Sequence, residues 1–357
     1  MANPPTAEEQ VRFLLNIKRL LEGSSFVATY KHALLLSIAD VCVERGDDSG
    51  ARLRVPIDVL AEKFITYYWR QAIPYCPPGR GHAGAVLKQS TGRQAAIVGA
   101  VSLAREEYDG SLTRLRTDTQ AWRALKRRVA EVIRVMPLWK LQTVGRQKLE
   151  FLYAGVSGEG DVIELKEGVC FRTFYSLINE LVRSAWLRFV RNINENKSVL
   201  GTASDLSDFM FGSGRVSLEV YRPILVEYQG GRCFYCLRPL TYKSDVDHFI
   251  PCSRYPVDLG HNFVLAHSTC NAKKADRLAA VEHLERWCRR NGDYGEELAG
   301  AFRIKNIAHD KNVSWGITVW AYEQAHVAGS LVWKCNDELV RLTPEWKSLL
   351  ETPLMRV

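Results

Sequence analysis

Four pieces of sequence follow one another between residues 233 and 271: Cys233-Phe234-Tyr235-Cys236, Asp245-Val246-Asp247-His248-Phe249-Ile250-Pro251, His261-Asn262-Phe263-Val264-Leu265 and His267-Ser268-Thr269-Cys270-Asn271. Cys233 and Cys236 are separated by two residues, and His267 and Cys270 repeat that gap. A two-residue gap lets both side chains of a knuckle face one ion, and a second such pair completes a tetrahedral nitrogen and sulfur set. A filled set has no open position, so the zinc it implies is structural. The competing reading makes Cys233, Cys236 and Cys270 small core residues, which leaves the two matched pairs without a reason. Nine cysteines, scattered apart from this pair, argue against a disulfide framework.

Between the pairs stand groups that zinc does not need. Val246 to Pro251 reads as a strand, so Asp247 and His248 are expected on opposite faces unless the strand is distorted. Asn262 follows in a second apolar run, and Asn271 stands at the expected start of a helix. Phosphodiester hydrolysis needs a deprotonated water, a clamp on a phosphate oxygen and relief of charge on the departing oxygen. Asp247 and the Asn271 amide oxygen are hard ligands suited to Mg²⁺ or Mn²⁺. An imidazole is the side chain suited to general-base work on water, and His248 supplies one.

The segment resembles the HNH nuclease family, whose fold is a β-hairpin and a helix around one divalent ion, with a zinc-stapled subgroup. The resemblance implies His248 as general base, Asp247 and Asn271 as ligands of the catalytic ion, and Asn262 as the residue that holds the hairpin loop. It implies Cys233, Cys236, His267 and Cys270 as structural zinc ligands. His267 stands where the subgroup usually has Cys, and Cys252 is the alternative ligand. Arg254, Lys273 and Lys274 are candidate phosphate contacts. The function implied is DNA cleavage, the DNA being double-stranded and RNA remaining open, with an effector of bacterial restriction or phage defence as one setting. A zinc-stabilised nucleic-acid-binding module without cleavage is the alternative, and a homodimer or defence-system proteins are candidate partners.

Outside the motif, 357 residues with 46% hydrophobic and 25% charged suit two or three globular domains and exclude a disordered or coiled-coil chain. No apolar run is long enough for a membrane span, and residues 1–10 do not read as a secretory signal, so a cytoplasmic protein is expected. The fold class is α+β, mostly helical. Residues 1–75 form a helical region, 76–210 a mixed and mainly helical one, and 211–357 the nuclease domain, with its core motif at 231–278.

Helical spacing groups Val11, Leu14, Leu15 and Leu21, then Leu34, Leu35, Ile38, Val41 and Cys42, then Leu60, Phe64, Tyr67 and Tyr68, with Asp58 as N-cap of the third helix. Trp122, Leu125, Val129, Val132 and Met136 make a further stripe closed by Pro137. Leu149 to Tyr153 and Val162 to Leu165 read as a hairpin across Gly155, Gly158 and Gly160. A long helix is expected to end at Asn192. Breakers at 76–93 read as a loop or a boundary, and Gly201–Gly214 as the boundary of the last domain. Trp315, Ile317, Trp320 and Leu331-Val332-Trp333 read as core beneath a last helix, stopped by Gly329, and a hairpin.

The net charge is +8, and Arg114 to Lys148 carries ten Lys and Arg against two acids, the whole excess. Arg123, Lys126 and Arg127 on this helix are the candidate backbone-gripping surface.

Overall fold

The computed structural model describes residues 3–23, 27–76, 84–154, 156–157, 161–200, 205–212 and 218–351. Residues 77–83, Gly155, Gly158, Gly160 and parts of the segment Gly201–Gly214 lie outside the described residues. The chain divides into two compact units, Met1–Gly212 and Ser213–Val357. It is mostly helical with short antiparallel strand pairs, an α+β fold.

In the first unit the helix Tyr30–Arg45 is buried from Lys31 to Glu44, as its Ala33-Leu34-Leu35-Leu36 run favours, because four consecutive apolar residues put apolar surface on every side of that turn and such a turn belongs in a core. Helices Ile57–Gln71 and Tyr175–Asn192 pack on it. Its acids are satisfied from these neighbours. Asp40 accepts hydrogen bonds from the Tyr67 hydroxyl at 2.7 Å and the Tyr175 hydroxyl at 2.9 Å, and Glu44 pairs with Lys63. Burial lifts the Asp40 pKa to about 6.

Several expected faces turn out differently. On Ala7–Gly23 the buried residues are Phe13, Ile17 and Leu20, while Val11 and Leu15 are exposed; Phe13 packs edge-on against Phe151 and Phe171, and that contact sets the rotation. Ile57–Gln71 has Pro56 at its N-cap, so Asp58 lies in the first turn, where its carboxylate binds Lys126 at 2.6 Å. On Thr119–Val135 the core face is Leu125, Val129, Ala130 and Ile133, one position away from the expected Val132, and Met136 is exposed. Val162–Leu165 is a strand, but it pairs with Leu53–Pro56 and Val156–Ser157. Leu149–Tyr153 forms no strand because the buried Gln142 side chain takes its backbone groups, accepting from Leu152 N at 2.7 Å and donating to Tyr153 O at 2.7 Å. The long helix ends at Asn192.

The second unit is built on the hairpin Ser244–His248 and Phe263–His267, in register from Ser244↔His267 to His248↔Phe263. The first strand stops at His248, short of the expected Pro251. There Asn262 bridges both backbone groups of Ile250, accepting from its N–H at 2.8 Å and donating to its carbonyl at 3.0 Å. One side of the hairpin packs into a core of Tyr221, Ile224, Leu225, Val246, Phe263, Leu265, Leu298, Phe302 and Ile307. The chain passes this core closely at Gly260, where a Cβ would stand 2.5 Å from the Phe302 ring. Phe249 stacks on Trp287 at 5.4 Å and 11°. Lys311–Val327 and the hairpin Leu331–Cys335 with Glu338–Arg341 close the unit. Gly329 takes φ +60°, a value that suits glycine after a helix end. Trp333 exchanges backbone hydrogen bonds with Leu278 and Ala280, tying that last hairpin to the segment just after the helix Ser268–Lys274. No helix among the described residues is long and apolar enough to cross a membrane.

Candidate active site and zinc centre

Strand alternation decides what each side chain of Ser244–His248 meets. Val246 faces the apolar core, and His248 lies against Phe263 at 4.5 Å between ring centroids. Asp245 and Asp247 therefore share the other face, toward the helix Ser268–Lys274. On that helix Ser268, Asn271 and Lys274 recur at three-residue spacing and so line one side. Asp245 accepts from Ser268 Oγ at 2.9 Å and from Asn271 Nδ2 at 3.3 Å. Asp247 binds Lys274 Nζ at 3.0 Å and accepts from the Tyr235 hydroxyl at 2.6 Å. Lys274 Nζ also donates to the His248 carbonyl at 2.8 Å. Burial lowers the Lys274 pKa, against the opposing pull of the Asp247 carboxylate. Asp247 and His248 thus point to opposite sides of the strand, as undistorted pleating requires. The His248 Nε2 atom is 2.7 Å from Asp258 Oδ1.

The four residues of the two spaced pairs converge. One ligand atom from each of Cys233, Cys236, His267 and Cys270 lies within 4.8 Å of the others. Gly230 and Gly231, at φ +58° and +66°, turn the chain into the knuckle, and the hairpin register delivers His267 opposite it. His267 Nδ1 is 3.3 Å from Cys236 Sγ, while its Nε2 is 2.9 Å from the Pro239 carbonyl. A carbonyl only accepts, so Nε2 carries the proton and Nδ1 offers its lone pair to a metal, the usual outer support of a ligating imidazole. Burial raises the Cys236 thiol, but hydrogen bonds from the Arg238 backbone and side chain, from Cys233 and from His267 together bring the pKa down to about 6. Cys270 is pushed up to about 12 by burial and by the Cys233 and Cys236 sulfurs. Three crowded sulfurs with one imidazole are the donor set that zinc takes. Cys252 is outside this cluster.

Residues 233–280 match the HNH endonuclease family. With the Cys3His cluster, this HNH segment fits the zinc-binding form of the domain. A second match covers residues 10–139 and is described as a domain of unknown function (DUF8808). No curated protein matches the chain.

Within the HNH segment the basic candidates are placed unevenly. Lys274 was expected to reach phosphate, but it is fully buried under Asp247, so it is an internal counter-charge. Lys273 is exposed and pairs with Asp337 at 3.0 Å. Arg254 is half-buried in the field of Asp276, and burial lowers its pKa. In the first unit Lys126 is held by Asp58, whereas Arg123 and Arg127 are exposed. Asp245, Tyr235 and Asp258 were missed as site residues. Asp245 was legible, two positions before Asp247 on the same strand face. Tyr235 and Asp258 carry no sequence signal, since one is a knuckle spacer and the other a loop acid.

His261, His283 and His309 bind backbone carbonyls of Gly295, Lys334 and Ile307, a structural role. Burial brings the His261 pKa down to about 4.

Proposed function

We propose that the chain is a metal-dependent endonuclease that hydrolyses phosphodiester bonds of double-stranded DNA. The observation that carries the reading is the placement of a partly exposed imidazole, His248, at the end of the strand whose other face sets Asp247 against the helix bearing Asn271. A zinc-stabilised binding module needs the cysteines, but it has no use for a buried carboxylate held by Tyr235 and Lys274, an arrangement whose desolvation is costly.

The residues present suit a hard divalent ion. Asp247 accepts from Tyr235 on Oδ2 and from Lys274 on both oxygens, which still leaves lone pairs on a carboxylate with about four acceptor sites, and Asn271, engaged through Nδ2, has its amide oxygen free of any hydrogen bond to the described residues. Asp247 and Asn271 would hold Mg²⁺ or Mn²⁺, which supplies Lewis-acid stabilisation of the phosphate and the departing oxygen. The chain's own residues do the rest. His248 takes a proton from the attacking water. Tyr235 and Lys274 fix the Asp247 carboxylate, Asp245 fixes the Asn271 amide, and Asn262 locks the loop that follows His248. Arg123 and Arg127 are the exposed cations we assign to the DNA backbone. The restriction or phage-defence setting belongs to the same reading, and what supports it is the joining of a nuclease unit to a second folded unit with its own family match.

The test is cleavage of plasmid, linear, single-stranded and RNA substrates with and without Mn²⁺, by the wild type and by His248→Ala. Cleavage should require the metal and vanish in the variant, with zinc content and folding retained. Undiminished cleavage by His248→Ala refutes the mechanism.

A further inference from the structure

Asp258 is the only described residue that hydrogen-bonds the His248 ring, through Nε2 at 2.7 Å; Nδ1 bonds none of them. The bond is reciprocal in its exclusiveness, because the Asp258 carboxylate makes no other hydrogen bond or ion pair among the described residues. Both side chains are largely shielded, at 17% and 25% exposure. The loop that brings Asp258 here is shaped by a turn of its own and tied to a distant segment. Val257 N donates to Tyr255 O at 2.9 Å and Gly260 N to Ala308 O at 2.9 Å, and Leu259 is buried next to it. The Phe263 ring, at 4.5 Å, limits the rotation of the imidazole from its other side. A surface ion pair would have neither the fixed loop nor the packed ring.

Resting on the reading of His248 as the base, we propose that Asp258 is its positioning residue. A carboxylate only accepts, so it fixes the ring proton on Nε2 and leaves the Nδ1 lone pair as the atom that faces the reaction. In the chemical step a water O–H bond breaks and its proton passes to Nδ1. The water oxygen bonds to phosphorus, and the bond from phosphorus to the leaving oxygen breaks with its electron pair on that oxygen. The imidazolium so formed stands beside a negative carboxylate, which stabilises it in the manner of an Asp-His pair in acyl-transfer enzymes.

The test reads the ring directly. Long-range proton–nitrogen NMR of the ¹⁵N-histidine-labelled full chain, with the His248 signal assigned from His248→Ala, should show a neutral ring protonated on Nε2 in the wild type and a loss of that preference in Asp258→Ala. Asp258→Asn, which keeps the volume but not the charge, covers the case in which the alanine variant fails to fold. With zinc content unchanged, it should lower kcat by about 10-fold at least, the loss reaching about 10⁴-fold when the same exchange is made in an Asp-His-Ser triad, while KM stays within about twofold. A wild-type ring protonated on Nδ1, or kcat in Asp258→Asn within about twofold of wild type, overturns the assignment. If the wild type cleaves no substrate, the nuclease reading fails, and the tautomer measurement still decides whether Asp258 orders the ring.

Discussion

Lys274→Met tests the interior of the site most sharply. The ammonium is completely buried and the Asp247 side chain is 9% exposed, so removing the cation leaves a carboxylate stranded in a shielded place with only the Tyr235 hydroxyl to stabilise it. Breaking a buried pair by deleting one partner costs about 3–5 kcal/mol, and methionine of similar length limits any cavity. At about 1.4 kcal/mol per factor of ten, hydrogen-exchange protection of residues 244–248 and 263–274 should fall by two to more than three orders of magnitude in metal-free protein. Mn²⁺ should restore part of that protection in the variant, because a divalent cation can occupy the place in the electrostatics that the ammonium has left. The assay is native-state exchange with mass spectrometry on the full chain, with zinc content checked in both proteins. A loss of less than about 1 kcal/mol, the value of a surface pair, refutes the claim that this pair is an internal counter-charge. An equal loss with and without Mn²⁺ refutes the claim that Asp247 is a metal-facing group.

Two further outcomes follow from the same unit. Ala275 ends the site helix at φ +50° and ψ −127°, a region open to glycine and costly for other residues, so Ala275→Gly should stabilise the unit by about 1 kcal/mol after glycine's greater unfolded-state entropy is counted; thermal unfolding measures it, and no gain in melting temperature refutes the strain. His261 has its pKa brought from 6.5 down to about 4 by burial, so the folded state binds fewer protons than the unfolded one between those values. Its contribution is fully present above pH 6.5 and is lost as the pH falls toward 4, by about 3 kcal/mol at most. His261→Gln, which can still donate to the Gly295 carbonyl, should show a shallower loss of stability from pH 6.5 to 4.5, and identical slopes would place the acid sensitivity elsewhere.

The sequence by itself determined the chemistry-bearing segment. Spacing is a local property, so two pairs with a two-residue gap, and an Asp-His followed by two asparagines, are visible before any folding. Strand alternation likewise dictates that Asp247 and His248 part company, and the all-apolar run from Ala33 to Leu36 dictates a central helix. What only the tertiary structure decided is the identity of each partner. Lys274 reads as a surface base on a short helix, yet three-residue spacing and the packing of that helix on the strand bury it against Asp247. Gln142 replaces a strand with its side chain, and Phe13 rotates its helix by packing edge-on against two rings from distant sequence. Asp258 meets His248 because a loop pinned to Ala308 brings it there. Partners separated by ten to more than a hundred residues leave no periodicity to read, since the free energy that selects them is that of burial and desolvation in the assembled core.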